Sequence, residues 1–199
     1  TLIRSIDITS IDNQMMDIAF DGKFLWLVGN QFNRVNQLDL NGVVIRRFGV
    51  GAYTTTPSGI AFDGRYLWIA DGNGARIAKI HIEGLVIKIL DLTAYTSEIG
   101  GIAFDGKYLW MVDVFHEQIL KMDINGTLIK ILDTGAYAIG ETDITYDGRH
   151  LWTSDGNGAK IHQLNLNGIP VKSISTAGYA NAPRGIAFDG KFLWMVGTE

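Results

Sequence analysis

The sequence contains no cysteine and only three prolines among its 199 residues. Without cysteine the chain has no disulfide, no thiolate metal site and no cysteine nucleophile. No apolar run approaches the ~20 residues of a membrane-spanning helix, so we expect no membrane insertion. The net charge of −4 provides no basic field for a phosphate backbone, so we expect no nucleic-acid partner. No phosphate loop, nucleophile elbow or dinucleotide fingerprint occurs either.

What the chain does contain is one repeated segment, an apolar strand followed by an Asp-Gly step and a tryptophan. Successive copies are 42 residues apart and have their aspartates at Asp21, Asp63, Asp105, Asp147 and Asp189. A constant period of this length marks a repeat architecture.

Each repeat is composed of four short apolar runs separated by turn residues, with no helical period. In the second repeat these runs are residues 59–62, 66–70, 76–82 and 85–90. Four antiparallel strands in about 42 residues are typical of one propeller blade. The sequence therefore predicts an all-β fold, a β-propeller of four-stranded antiparallel blades that forms a single domain over residues 1–199.

The residue types predict the order of the strands from the axis to the rim. The first strand of each blade places a small residue, such as Ala61, between larger apolar ones, which suits the crowded centre of a ring. The fourth strands carry a column of Lys or Arg that includes Lys88, and one of them carries Pro170. Lysine and proline are typical of exposed sheet edges. We interpret the tryptophan column as wedges between neighbouring blades rather than as a ring of binding sites.

The repeat also resembles a known family. The residues from Pro57 to Gly64, from Leu67 to Asp71 and from Asn73 to Ile77, with the turn at Gly84, resemble an NHL-type propeller repeat. They are also similar to the repeats of bacterial streptogramin lyases and glutaminyl cyclases. The resemblance covers the whole chain and implies the same strand order, but it implies no single activity because these families differ in function.

Streptogramin lyases use a histidine with acidic residues and a metal. Here His116 is the only histidine on the face where such a site would lie, so the motif is not carried over. We therefore predict no catalytic residue, no metal site and no cofactor.

The blade count follows from the period. Blades begin near residues 18, 60, 102 and 144, a rim strand is predicted at 1–7, and a partial blade at 185–199. Five periods of 42 residues are 11 residues longer than the 199-residue chain, about one third strand with its turn. We expect five blades, the last without its third strand, while a larger ring remains an alternative. We also expect either further chain beyond Glu199 or a neighbouring chain, including a second copy, at the incomplete blade.

The loops at one end of the propeller differ between repeats, whereas those at the other end are uniform turns. Binding residues concentrate on variable loops of a rigid scaffold. The candidates at the mouth of the channel are Asp17, Ser58, Glu98, Glu141, Asp143 and Arg184. Phe32, Phe115 and His116 are the candidates on the loop tips, where aromatic side chains suit contact with a partner.

The sequence favours a non-enzymatic binding or assembly module that uses this variable face and binds a protein or glycan partner. One alternative is a lyase- or cyclase-type enzyme with Glu98, Glu141 or Asp143 at the channel and His116 nearby. Another is a structural subunit of a surface or filament assembly. We expect a secreted or cell-surface location rather than a cytoplasmic one.

Overall fold

The computed structural model describes residues 2–136 and 140–198. Residue 1 of the rim strand predicted at 1–7 and residue 199 of the partial blade predicted at 185–199 therefore lie outside the described residues. The described residues form strands, turns and loops. They contain no helix long and apolar enough to span a membrane. The predicted all-β propeller is confirmed, with the chain running through successive antiparallel sheets.

Four sheets have four strands each, and within each sheet the strands pair in the order in which they follow along the chain. Their strands are β1 (Met15–Phe20), β2 (Leu25–Gly29), β3 (Arg34–Leu38), β4 (Val44–Gly49), β5 (Pro57–Phe62), β6 (Tyr66–Asp71), β7 (Arg76–His81), β8 (Val86–Asp91), β9 (Ile99–Phe104), β10 (Tyr108–Asp113), β11 (Gln118–Asp123), β12 (Leu128–Asp133), β13 (Glu141–Tyr146), β14 (Leu151–Asp155), β15 (Lys160–Leu164) and β16 (Pro170–Ser175). The fifth sheet has two strands, β17 (Ala182–Phe188) and β18 (Leu193–Thr198).

The Asp-Gly step closes the turn between the first two strands of every blade. Gly64 has a φ of 94°, a conformation that glycine adopts without steric cost. Asp63 accepts hydrogen bonds from the backbone N–H groups of Arg65 and Tyr66 and from the indole N–H of Trp68, at 2.7–2.9 Å. The same three bonds recur in the other four blades.

Four of the five tryptophans pack between blades, as predicted. Trp26, Trp68 and Trp110 are fully buried, and each belongs to a hydrophobic cluster that includes residues of the following blade. Trp194 of the last blade packs against a cluster that contains Leu25 and Leu27 of the first. The innermost strands also contact one another around the ring, β17 against β1 included. The ring is therefore closed with five innermost strands.

The last blade is incomplete, as predicted, because it consists of β17 and β18 alone. The prediction of an N-terminal rim strand needs a correction: residues 2–7 form no strand. A strand requires a hydrogen-bonded neighbour, and the described residues contain no third strand between residues 2–7 and β18.

Candidate functional site

The channel along the propeller axis contains two cavities. The one at the variable face has a volume of about 390 Å³. The other, of about 100 Å³, is lined by the next residues along the innermost strands, including Ala19, Ala61 and Ala103.

A β-bulge builds the larger cavity. In each of the four complete blades, the pairing between the first and second strands skips one residue near the start of the first strand. The skipped residues include Met16, Ser58 and Thr142. A bulge re-aims a side chain away from the regular alternation of a strand. These three residues, together with Gly100 and Arg184 of the other two blades, line the cavity. The mouth is therefore made by one repeat position that differs in every blade.

Asp17 and Asp143 do not open onto this mouth, contrary to expectation. Asp17 is 1% exposed and accepts hydrogen bonds from the backbone N–H of Ile18 at 2.5 Å and of Ile60 at 2.6 Å. Asp143, also 1% exposed, accepts one from the backbone N–H of Ile186 at 2.6 Å. Each carboxyl therefore ties its own blade to the next one around the axis.

The two carboxyls also interact with each other across the channel. Burial raises the pKa of Asp17 to about 7, against the lowering effect of its hydrogen bonds. Burial and the charge of Asp17 raise the pKa of Asp143 well above its usual range. Two carboxyls this close share a proton because two negative charges cannot both be accommodated there. The pair lies at the strand level between the two cavities, since Met16 and Thr142 line the larger one and Ile18 and Thr145 line the smaller one.

Ser58 and Thr142 are also occupied by contacts between blades. The Ser58 hydroxyl donates to the backbone carbonyl of Ile99 at 2.6 Å. The Thr142 hydroxyl lies 3.0 Å from the backbone carbonyls of Pro183 and Arg184. Both residues line the mouth, but their hydroxyls hold neighbouring blades together.

Glu98 and Arg184 are the charged side chains that line the mouth among the described residues. Glu98 is exposed and Arg184 is half-buried. A guanidinium nitrogen of Arg184 lies 3.4 Å from the sulfur of Met16, a weak acceptor that leaves most of its donors unused. The structure thus brings together one carboxylate and one guanidinium at the entrance.

Glu141 is displaced from the mouth. It is 3% exposed and does not line the cavity. Burial raises its pKa, and the neighbouring Thr153 and Thr134 act in the opposite direction. It precedes the bulged residue of its strand, so its side chain points into the blade. We assign it to the interior of the fourth blade.

The predicted loop-tip residues are exposed and lie outside the cavity lining. Phe32 is 49% and Phe115 is 69% exposed. The Arg34 guanidinium lies 5.1 Å from the centre of the Phe32 ring, and the Phe115 and His116 rings meet edge to face at 5.0 Å. Each exposed phenylalanine ring therefore packs against one neighbouring side chain, Arg34 for Phe32 and His116 for Phe115.

His116 has a partner that sequence analysis did not identify. Its Nδ1 atom lies 2.8 Å from the carboxylate of Asp113, a residue with no exposed surface. In the fourth blade the equivalent Asp155 accepts from the backbone N–H of Gly158 and lies 3.6 Å from Nε2 of His162. The spacing Asp-x-x-His, where that blade has Asp-x-x-Gly, is the signal that could have revealed the pair.

Sequence analysis also missed polar residues that line the mouth. Asn30, Asn73 and Asn157 come from the loops after the second strands of their blades, and Thr142 comes from the bulge. The loops were identified as variable, but the side chains that turn toward the axis could not be chosen from spacing alone.

No family model matches the sequence, and no curated protein matches it either. Solved structures do match. Glutaminyl cyclase from Myxococcus xanthus superposes with a TM-score of 0.77 at 14% identity, over 92% of this chain and 85% of that one.

A catalytically inactive virginiamycin B lyase from Staphylococcus aureus, solved with quinupristin, superposes with a TM-score of 0.60 at 22% identity, over 91% of this chain and 62% of that one. A nidogen/laminin complex gives a TM-score of 0.62 at 22% identity, over 79% of this chain and 62% of that one. At these identities the similarity shows the fold alone.

The fold and the neighbours together define the class of protein: this chain is a β-propeller. The cyclase and the lyase are enzymes, whereas nidogen was solved in a complex with laminin, so the class includes both catalytic and binding members. The resemblance to NHL-type repeats stays a prediction.

Proposed function

We propose that the protein is a binding module whose mouth cavity takes a short polar segment of a protein or glycan partner. The observation that carries the proposal is the cavity of about 390 Å³ with Glu98 and Arg184 at its entrance. Its volume lies in the range of pockets that hold small ligands or side chains.

The uneven use of polar groups supports this proposal. Asp17, Asp143, Ser58 and Thr142 direct their polar atoms to other blades, so they build the frame. Among the described residues, the Arg184 guanidinium reaches another blade only through the sulfur of Met16, a weak acceptor, and the Glu98 carboxylate has no hydrogen bond to another blade. A charged group kept at a concave mouth is suited to fix the orientation of a ligand.

The loop tips extend the same surface outward. Phe32 and Phe115 are exposed aromatic side chains, which contribute large contact areas to interfaces. A partner that inserts a segment into the mouth would contact these rings with its flanking surface.

An NMR titration of the isotope-labelled chain tests the proposal. The probes are a defined panel of short zwitterionic peptides and of sialylated and neutral oligosaccharides. We expect at least one probe to shift the amide signals of Gly100, Gly156 and Arg184, which line the mouth. Shifts confined to the uniform turns at the opposite end, or none with any probe, would contradict it.

Variants locate the interaction. Glu98→Gln and Arg184→Gln remove the two charges and are expected to weaken binding about tenfold each, the effect of one charged hydrogen bond. Glu83→Gln is the matched control, since Glu83 is an exposed carboxylate in the turn before β8. A loss of affinity in the control equal to that in the other two variants would contradict the site.

A second candidate is an enzyme of the lyase or cyclase type, and the Asp113–His116 pair favours it. A buried carboxylate that holds an imidazole is an arrangement used in general-base catalysis. The test is incubation of the chain with streptogramin B and with peptides that begin with glutamine. Turnover that disappears in His116→Gln would support the enzyme, whereas no turnover of either substrate would remove this candidate.

A further inference from the structure

The outer part of the fourth blade contains a row of polar side chains where the second and third blades are apolar. Thr153, His162 and Ser173 lie opposite one another on β14, β15 and β16. The same positions of the second and third blades hold Ile69, Ala78 and Ile89, and Met111, Leu120 and Ile131. Thr153 and His162 are buried, whereas Ser173 is exposed, so the polar row runs from the interior of the blade to its surface.

A hydrogen bond joins the exposed end of this row to the buried imidazole. Nδ1 of His162 lies 2.8 Å from the hydroxyl oxygen of Ser173. In the tautomer that carries its proton on Nε2, Nδ1 accepts this hydrogen bond from the serine hydroxyl. His162 is 4% exposed. A base therefore lies directly behind a hydroxyl that solvent can reach.

A buried carboxylate lies on the other side of the imidazole. Oδ2 of Asp155 is 3.6 Å from Nε2 of His162, and Asp155 is 6% exposed. The backbone N–H of Gly158 donates to the other oxygen of this carboxylate at 2.7 Å. A negative charge at this place favours the Nε2 proton and stabilises the imidazolium that forms when Nδ1 accepts a second proton. Hydroxyl, imidazole and carboxylate in this sequence activate a serine as a nucleophile.

The other complete blades lack this combination. In the first blade the equivalent row contains Asn36 and Arg47. An amide is not a base at neutral pH, and a guanidinium keeps its proton. The second and third blades retain the aspartate, as Asp71 and Asp113, without the histidine and the serine of the row. The fourth blade thus departs from the repeat at the two positions that supply the base and the hydroxyl.

The surroundings of Ser173 fit an ester. Val171, two residues earlier, is 57% exposed and supplies apolar surface for an acyl group close to the hydroxyl. β16 is the outermost strand of its sheet, and β15 is its strand partner. Alternate backbone N–H groups of an edge strand point away from the sheet. Such groups are donors of the kind that stabilise the charged oxygen of a tetrahedral intermediate.

We propose that Ser173 and His162 form an acyl-transfer site at the outer edge of the fourth blade, with Asp155 as a positioning residue, and that this site hydrolyses small carboxylic esters with an apolar acyl group. The Ser173 oxygen bonds to the carbonyl carbon while its proton passes to Nδ1 of His162. The bond from that carbon to the alcohol oxygen then breaks, and the alcohol leaves with this proton. Water hydrolyses the acyl-serine by the same route and releases the carboxylic acid. The site lies at the rim, so it is independent of the function proposed for the mouth at the axis.

A fluorophosphonate probe tests the nucleophile. The Ser173 oxygen bonds to phosphorus and fluoride leaves, while the hydroxyl proton passes to His162. We expect peptide mass spectrometry of the labelled 199-residue chain to find the probe on Ser173. Ser175 is the control within the same molecule, because it is an exposed serine on the same strand opposite Lys160 instead of a histidine. Equal labelling of the two serines, or no labelling of Ser173, would overturn the proposal.

Hydrolysis of p-nitrophenyl butyrate tests the base. Ser173→Ala and His162→Gln are each expected to lower kcat/KM by about a hundredfold or more. Glutamine keeps a hydrogen bond with Ser173 but cannot take its proton. Ser175→Ala is the matched control and is expected to keep the parent rate. Circular dichroism verifies the fold of each variant. A parent-like rate in Ser173→Ala, or in folded His162→Gln, would overturn the proposal.

Asp155→Asn tests the positioning role. The asparagine oxygen can still accept from the N–H of Gly158, and the neighbouring Glu141 on β13 is unchanged. Without the charge beside it, the imidazolium releases its proton at a lower pH. We expect kcat/KM to fall about tenfold, since apart from the charge the contacts are kept, and its rise with pH to move to lower pH. A pH profile identical to that of the parent would contradict the role of Asp155 and with it the proposed site.

Discussion

At the scale of single residues, the buried pair Asp17 and Asp143 holds blades together and is not part of the exposed surface at the mouth. Asp17 and Asp143 fill space that glycine leaves at the same repeat position in the other three blades. A Cβ on Gly101 would strike the Asp143 carboxyl, and a Cβ on Gly185 would strike Asp17. Two carboxyls and three glycines therefore form one interlocking layer across the channel.

This layer predicts a stability that depends on pH. The pKa of Asp17 rises from its usual 3.8 to about 7 on folding. Protonation therefore contributes stability that is fully present below the unfolded pKa and is lost as pH rises toward and past 7, by at most about 1.4 kcal/mol per pH unit and proton. We expect the melting temperature to fall between pH 5 and pH 8.

Asp143→Asn removes one ionisable group and keeps an amide that can donate to Asp17. We expect this variant to lose less stability than the parent chain between pH 5 and pH 8 and to exceed it at pH 8, as measured by thermal unfolding. Asp39→Asn is the control, because the pKa of the exposed Asp39 is lowered by its hydrogen bond from Val43. A pH dependence as steep in Asp143→Asn as in the parent would contradict the shared proton.

The aspartates of the Asp-Gly turns predict a second difference. Asp63→Ala removes the acceptor of three hydrogen bonds and leaves the Trp68 indole N–H without a partner. We expect a loss of about 2–4 kcal/mol in the free energy of unfolding, since each buried group left unpaired costs about 1–3 kcal/mol.

Asp39→Ala is the matched change in an exposed turn, where Asp39 accepts from the backbone N–H groups of Asn41 and Val43. Water replaces those bonds, so we expect about 1 kcal/mol or less. Urea unfolding measures both variants. Equal losses would show that the bond from the tryptophan contributes nothing.

At the scale of elements, the strands could be predicted from the sequence because their turns carry local signals. Asp63-Gly64 and its four equivalents fix the first hairpin by hydrogen bonds within five residues. The strand order followed from small residues at the axis and lysines at the rim. Signals of this kind involve residues that are close together in the sequence, so they can be recognised from one sequence alone.

The side chains at the mouth could not be predicted in the same way. A bulge shifts the alternation of each innermost strand, so Ser58 and Thr142 face the mouth while Glu141 turns inward. The bulge depends on packing between blades, so it cannot be predicted from the spacing of residues within one strand. The rim strand was predicted at 1–7, and residues 2–7 form no strand for a related reason: the described residues contain no third strand to pair with them.

The innermost strands predict a sharp response to added volume. A Cβ at position 101 would collide with the Asp143 carboxyl, and the layer has no free space to receive it. We expect Gly101→Ala to destabilise the chain by about 1–3 kcal/mol, the usual effect of overpacking.

Gly49→Ala is the control for this substitution. Position 49 has no heavy atom within 4 Å of an added Cβ, and its φ is not in the left-handed region. We expect a change of at most about 0.5 kcal/mol. Thermal or urea unfolding compares the two variants, and equal effects would argue against an interlocked layer.

At the scale of the whole molecule, the account depends on closure of the ring by blades one and five. The mouth cavity and the carboxyl pair both require the innermost strands β1 and β17 to be neighbours. The 42-residue period predicted five such strands but left a larger ring open, because a period gives the number of blades in a chain and not the angle between them. Packing of Trp194 against Leu25 and Leu27 supplies that closure.

Distances between spin labels test closure most directly, and the chain has no cysteine to interfere with labelling. Lys23, Arg65, Lys107 and Lys191 occupy one exposed position in blades one, two, three and five. Cysteine pairs there report adjacent blades (23 with 65), alternate blades (23 with 107) and the closing blades (23 with 191). Pulsed electron–electron resonance should give the 23–191 pair the same distance as the 23–65 pair, and the 23–107 pair a longer one. A 23–191 distance longer than that of the 23–107 pair would show an open arc and contradict the closed five-bladed ring.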